Sequence, residues 1–263
     1  SGAGKSALQD ATVIFTPPED VIKLTSITGK ALFYKGEKSL KHKLLAIEEE
    51  TGAEEAVYAI RNLISAKELV IEVTVKDFST VRMTTMENRV EGPTTVFITT
   101  TNPEIDPETR SRFFVTNVDE SREQTRRILE FQRKIQTLEY QVKRAELFSV
   151  TRRHWNFQRM LKPMLVVNPH AEKLSFVDDR LQGRRDQPKY LSLIRAVAIM
   201  RQLQKRIKKY DGKDFVEVDK TDLAIANELV QWLIGRNIDD LNRISRDLLH
   251  QIDRMLDERV IRL

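Results

Sequence analysis

The residues best suited to phosphate chemistry open the sequence. Ser1-Gly2-Ala3-Gly4-Lys5-Ser6 matches the second half of the phosphate-binding loop pattern G-x-x-x-x-G-K-[ST]. In that pattern Gly2 and Gly4 let the backbone around Ala3 curl its amides onto phosphate oxygens, and Lys5 neutralises the β/γ-phosphate charge. Ser6 then offers its hydroxyl to Mg²⁺. The first Gly of the pattern, and the strand that feeds such a loop, would come before Ser1, so the sequence reads as a segment of a longer polypeptide.

A second group of chemical residues closes the run Leu44-Leu45-Ala46-Ile47-Glu48-Glu49. Aliphatic residues ending abruptly in carboxylates read as a buried parallel strand that delivers acids to a ligand at its C-terminal end. With a phosphate cradle upstream, the two make the halves of a nucleoside-triphosphate site, and the implied cofactors are ATP and Mg²⁺. Glu48 stands where nucleotide hydrolases commonly carry the Asp that orders magnesium's waters. Glu49 is the candidate base for the attacking water, and Glu50 is peripheral. A Glu in place of Asp lengthens the arm by one methylene.

Further along, Thr95-Val96-Phe97-Ile98-Thr99-Thr100 is a core strand that runs out at Thr101-Asn102. Asn102 can hold the attacking water near a γ-phosphate, although Asn before Pro is also an ordinary turn opener. In Ser111-Arg112-Phe113, Arg112 is placed to reach the γ-phosphate of a neighbouring subunit, which implies a ring or an open oligomer with a heterologous interface.

The elements that must position these groups follow from pattern. Ser6 to Gln9 begins a helix, Val13-Ile14-Phe15 has strand character, and Glu19-Asp20 with Val21, Ile22 and Leu24 suggests a short capped helix. Lys35, Lys38, Lys41 and Lys43 make a basic approach to the acidic strand. Residues 53 to 65 read as a helix with Ala56, Ala59, Ile60 and Leu63 along one side. Leu69 to Val75 and Val81 to Val90 then form a β-hairpin inserted between the acidic strand and the Asn102 strand. Residues 120 to 148 carry apolar residues at helical spacing, with Ser121 and Gln124 resembling a capping box, and read as one long basic helix. Residues 190 to 208 form an amphipathic helix, Asp211-Gly212 a turn, 215 to 218 a short strand, 223 to 233 a helix capped by Thr221-Asp222, and 239 to 263 a last helix.

Composition narrows the function classes. The 263 residues hold no cysteine, which removes disulfides, thiolate nucleophiles and cysteine-ligated zinc. The four His residues are scattered without metal-ligand spacing. No apolar run approaches the ~20 residues that span a bilayer, and no secretory signal opens the chain, so no membrane partner and a cytoplasmic location are expected. A net charge of +5 permits an anionic partner.

The order of phosphate loop, acidic strand, inserted hairpin, Asn-terminated strand and Ser-Arg-Phe resembles an AAA+ ATPase core, over residues 1–120. The hairpin before the Asn strand resembles the clade of the minichromosome maintenance and superfamily 3 helicases. The stretches Leu45 to Ala56 and Asp119 to Ile128 are similar to the helicase segment of bacterial mobile-element primase-helicase proteins. The resemblance implies an α/β fold: a P-loop NTPase core with a parallel sheet and the inserted hairpin, a basic helical linker over 121–160, and a mainly helical lid and C-terminal region over 161–263. In those helicases the hairpin tip grips one nucleic-acid strand. Carried over, Lys76 and Arg82 contact phosphate and Phe78 stacks on a base, without base-edge readout. A basic residue of the lid, among Arg184, Arg185 and Lys189, would be the second sensor of the γ-phosphate. The implied function is an ATP-hydrolysing hexameric ring that translocates on single-stranded or forked DNA and unwinds it during replication of a bacterial or mobile element. The alternative is a remodelling or loading ATPase that acts on a protein partner.

Overall fold

The computed structural model describes residues 4–48, 54–76, 83–102, 105–175 and 183–233. In chain order the elements are α1 (Lys5–Val13), β1 (Val21–Leu24), β2 (Leu44–Ile47), α2 (Glu54–Ala66), β3 (Glu68–Lys76), β4 (Met83–Glu91), β5 (Thr95–Ile98), α3 (Pro107–Arg112), α4 (Arg122–Lys134) and α5 (Leu138–Met160). They continue as β6 (Leu165–Val167), α6 (Gly183–Met200), β7 (Lys208–Tyr210), β8 (Lys213–Glu217) and α7 (Lys220–Leu233). The chain divides into two compact units, Ser1–Phe113 with Asn117–Leu165 and Ile199–Val216, and Phe114–Thr116 with Val166–Ala198 and Glu217–Leu263. Among the described residues no helix is long and apolar enough to cross a membrane.

In the first unit β1, β2 and β5 form a parallel sheet in that order, with Leu45 beside both Ile22 and Val96. The central strand β2 is its most apolar, and Leu45, Ala46 and Ile47 are buried, as a strand covered on both faces requires. Ala59, Ile60 and Leu63 of α2 pack into the same core as Leu45 and Ile47. With the buried Ala56 they form the stripe that their i, i+3, i+4, i+7 spacing dictates.

The antiparallel ribbon of β3 and β4 pairs from Glu68↔Glu91 to Lys76↔Met83. Its root pair, Leu69 and Val90, is fully inside that core. Farther out, Met83 and Met86 are exposed. Lys41 ion-pairs with Glu91 at 2.6 Å, and the Asn88 amide donates to Phe33 O, fixing the root to residues 31–41. Gly92 returns the chain toward β5. A Cβ there would lie 2.9 Å from Lys67 O, so only glycine permits the approach.

Several elements differ from the sequence expectation. Val13 closes α1 as helix, and Ile14-Phe15 is its exit turn, not a strand. Residues 21–24, expected as a short helix, are β1, because pairing with β2 outweighs the cap-like Glu19-Asp20. The long basic helix is two helices. Thr137 Oγ1 donates to Lys134 O and accepts from Tyr140 N, ending α4's exit turn and capping α5. Ser121 does cap α4, accepting from Gln124 N at 3.1 Å.

The second half of α5 is docked onto the exit of α1. Trp155 Nε1 donates to Ile14 O at 2.8 Å, Gln158 Nε2 donates to Phe15 O at 2.6 Å, and the Phe15 and His154 rings lie 5.1 Å apart. The Arg159 fork holds both Glu19 oxygens at 2.6 and 2.9 Å. Trp155 is engaged in this packing through its indole N–H.

In the second unit Tyr190, Ile194, Val197 and Ala198 of α6 pack with Val218 and Ala226, and the buried Tyr190 hydroxyl donates to Asn227 Oδ1. Helix α7 starts at a reciprocal cap: Asp222 N donates to Asp219 Oδ1 and Asp219 N to Asp222 Oδ2, both at 2.9 Å. The turn at Asp211-Gly212 joins β7 to β8, as expected. The expected last helix over 239–263 lies outside the described residues.

The Arg159 hydrogen bonds lower the Glu19 carboxyl from 4.5 to about 2. A depressed carboxylate contributes stability that is complete above its unfolded value and is lost as pH falls through its folded value. The melting temperature is therefore expected to drop as pH is lowered from about 5 toward 2. Glu19→Gln should reduce that slope in thermal melts across the same range. An unchanged slope would remove the pair from the account.

Candidate nucleotide site

Gly4 is the N-cap of α1, with φ 83° and ψ 11°. That left-handed conformation is cheap only for glycine. Among the described residues no side chain caps the helix, and no acidic residue lies in its first turn. The leading amides of an α-helix lack intrahelical partners and carry its positive dipole end. The start of α1 is thus built to receive an anion, with Lys5 and Ser6 as its first two helical residues. Gly2 and Ala3 lie outside the described residues.

The other end of the site is the C-terminal edge of the parallel sheet. Glu48 follows β2, and its amide donates to Leu24 O at 2.9 Å. Asn102 follows β5 on the same edge, and its amide donates to Thr100 Oγ1 at 3.1 Å. Because the strands are parallel, both residues emerge where ligands of such sheets collect. Glu49, the expected base, lies outside the described residues.

Two residues that pattern did not single out join these parts. Gln9 is fully buried, and its Nε2 donates to Ile47 O and to Phe97 O, each at 3.1 Å. One amide therefore ties α1 to both β2 and β5, about 7.5 Å along the helix from Gly4. Gln9 Oε1 has no hydrogen-bond partner among the described residues. Lys23 of β1 places Nζ 2.6 Å from Asp10 Oδ1 and 2.7 Å from Glu48 Oε1. Asp10 first and Glu48 second raise the Lys23 pKa, so the ammonium stays charged. It faces Glu48 as a cation, the same charge sign that a metal would bring.

Arg112 is not brought to this edge. Its Nε donates to Ser65 Oγ at 2.8 Å and its Nη1 to Glu108 O at 2.9 Å, inside its own protomer. Helix α3, which carries it, is held at its N-cap by Asp106, which accepts from Thr109 N and ion-pairs with Arg61 at 3.0 Å. Burial pushes the Asp106 carboxyl up, but the Thr109 hydrogen bonds and the Arg61 charge outweigh it, and the net shift is downward.

Of the expected nucleic-acid residues, Lys76 closes β3, whereas Phe78 and Arg82 lie outside the described residues. Of the candidate second sensors, Arg184 and Arg185 are exposed on α6. Lys189 pairs with Asp186 at 3.2 Å and lies 5.9 Å from the Phe114 ring centroid.

A glycine-initiated helix docked on the C-terminal edge of a parallel sheet, with an acid ending the neighbouring strand, is the arrangement of a P-loop nucleotide-binding domain. The family described as the MTBMA_p00010 P-loop domain matches residues 1–159, and the chain belongs to that family. No curated protein matches the sequence. Membership in a P-loop family carries nucleotide binding, usually with Mg²⁺. The uncapped start of α1, with Lys5 and Ser6, fits the phosphates, and Ser6 and Glu48 would hold the metal and its waters.

Gly4→Ala is expected to lower the unfolding free energy by about 1 kcal/mol through the left-handed backbone alone. A β-carbon there meets nothing within 4 Å, so no clash adds to that cost. Urea denaturation checks this, and a loss well above that figure would mean that Gly4 serves packing as well.

Proposed function

We propose that the chain is the ATP-hydrolysing segment of an AAA+ type motor that moves along and unwinds DNA. The observation that carries the reading is the order of elements at one sheet edge. A glycine-initiated helix is tied to β2 and β5 there through Gln9, Glu48 closes β2, and an antiparallel ribbon of two nine-residue strands is inserted between β2 and the strand that leads to Asn102. Lys5 and the amides around it hold the triphosphate, Ser6 and Glu48 position Mg²⁺, and Glu49 takes the proton of the water that attacks the γ-phosphorus. Asn102 orients that water. In this reading Lys23 would keep its pair with Asp10 where Glu48 served Mg²⁺.

Assembly into a ring, hexameric in this proposal, places Arg112 against the γ-phosphate bound by the adjacent copy. Its bonds to Ser65 and Glu108 must then open, and both partners are groups that water can replace. Lys76 and Arg82 contact the DNA backbone and Phe78 stacks on a base, independently of sequence. The same nucleotide chemistry applied to a protein partner is the second reading, and the ribbon is what favours DNA.

The test is hydrolysis by the full-length protein with and without single-stranded DNA. Basal hydrolysis that rises on adding DNA is expected. Lys5→Ala and Glu49→Gln should abolish it, the latter with nucleotide binding retained. Lys76→Ala combined with Arg82→Ala should remove the DNA-dependent part and leave the basal rate. Hydrolysis indifferent to DNA would move the assignment to the protein-remodelling class, and no hydrolysis at all would end it.

A further inference from the structure

The positive charge of this protein is concentrated in one segment. Residues 122–160, which span α4 and α5, hold ten Lys and Arg against four Glu, a surplus of six in a chain whose net charge is +5. Part of it is internal: Arg127 pairs with Glu123, Lys143 with Glu139, and Arg159 with Glu19.

Arg122, Arg126 and Arg133 of α4 differ from those. None of the three ion-pairs with a carboxylate among the described residues, and together with Thr125 and Leu129 they line one open depression on the helix. At about 100° per residue the three fall within an arc of roughly 40° on the helix surface. Their Cα atoms are spaced by about 6 and 10.5 Å along the axis. Their Cα atoms thus lie in a row along one side of the helix. The opposite side of α4 is turned to its neighbour: the Phe131 ring meets Tyr140 edge-on at 5.6 Å, and Gln141 Nε2 donates to Ile135 O at 2.7 Å. The row therefore faces outward while the apolar side leans on the start of α5.

We infer that this row is a second polynucleotide contact, apart from the ribbon tip, in which Arg122, Arg126 and Arg133 each engage a phosphate of one strand. The inference rests on the DNA reading above and adds a site to it. A planar fork of donors matches phosphate oxygens two at a time, and a row with no carboxylate partner among the described residues loses no ion pair to them on binding. A linear array of anions is the chemistry that uses all three at once. Nothing in the row reads base edges, so the contact is indifferent to sequence.

The test is the affinity of the full-length protein for a labelled oligothymidylate, followed by fluorescence anisotropy over a salt series. Each phosphate contact on a single strand contributes about 0.7 to the slope of log K against log salt. Converting all three arginines to Gln (Arg122→Gln, Arg126→Gln, Arg133→Gln) should flatten that slope by about 2 and weaken binding on the order of 100-fold at about 50 mM salt. The matching Lys variant should keep most of the slope, because it keeps the charges. Arg127→Gln, which breaks an existing pair, should leave it unchanged. The nucleotide-only hydrolysis rate of all these variants should equal that of the parent.

If the parent binds and the triple Gln variant keeps its slope and affinity, the row is not a contact, and the motor reading stands without it. A row that instead supports binding to phosphatidylserine vesicles, with oligothymidylate affinity unaltered by the substitutions, would assign the surface to anionic lipid and overturn the inference. A parent without measurable affinity for the oligonucleotide would take down both.

Discussion

The site depends on a single side-chain amide. Gln9 Nε2 bridges Ile47 O of β2 and Phe97 O of β5, and it does so from the buried side of the helix that Gly4 begins. A buried donor left unmade costs about 1–3 kcal/mol, so this amide is held where its two acceptors are. The consequence is positional. The Gly4 end of α1 cannot slide along the sheet without breaking both bonds, and Ile47 immediately precedes Glu48. The start of α1 and Glu48 are thereby fixed relative to one another, and for the proposed phosphoryl transfer that would be electrostatic preorganisation.

The same strand serves a second neighbour. Leu45 and Ile47 share their core with Leu69 and Val90, the root pair of the ribbon, and with Leu63 of α2. The root of the ribbon thus packs on the acidic strand, while Met83 and Met86 farther out are exposed. Charged groups of this unit are already paired: Lys23 between Asp10 and Glu48 at the edge, and, away from it, Arg61 on Asp106 and Glu108 and Arg112 on Ser65. Of these only the Lys23 pairs are well exposed, and such exposed pairs are weak.

Much of this was legible in residue order, and the rest was not, for identifiable reasons. The α2 stripe at Ala56, Ala59, Ile60 and Leu63, the buried β2, the two arms of the ribbon and the Ser121 cap all follow from periodicity or from local capping chemistry, which act over a few residues. The strand β1 was hidden because Glu19-Asp20 before Val21 imitates a helix cap, and only pairing with β2, more than twenty residues away in sequence, settles its conformation. Val13-Ile14-Phe15 carries β-branched residues yet ends a helix, since tertiary contacts from Trp155 and Gln158 hold its carbonyls. The break between α4 and α5 turns on one Thr. Gln9 and Lys23 carry no signal in sequence at all: a Gln on a helix and a Lys in a strand acquire meaning only from what the fold sets beside them.

The most direct measurement of the central claim is calorimetric titration of ATP into the protein with Mg²⁺ present, repeated with Lys5→Ala. Saturable binding at one site per chain, weakened at least tenfold by the substitution and diminished when the metal is chelated, is the expected result. Binding that is the same in parent and variant, or absent from the parent, would contradict the assignment of the Gly4 end of α1 as the phosphate cradle.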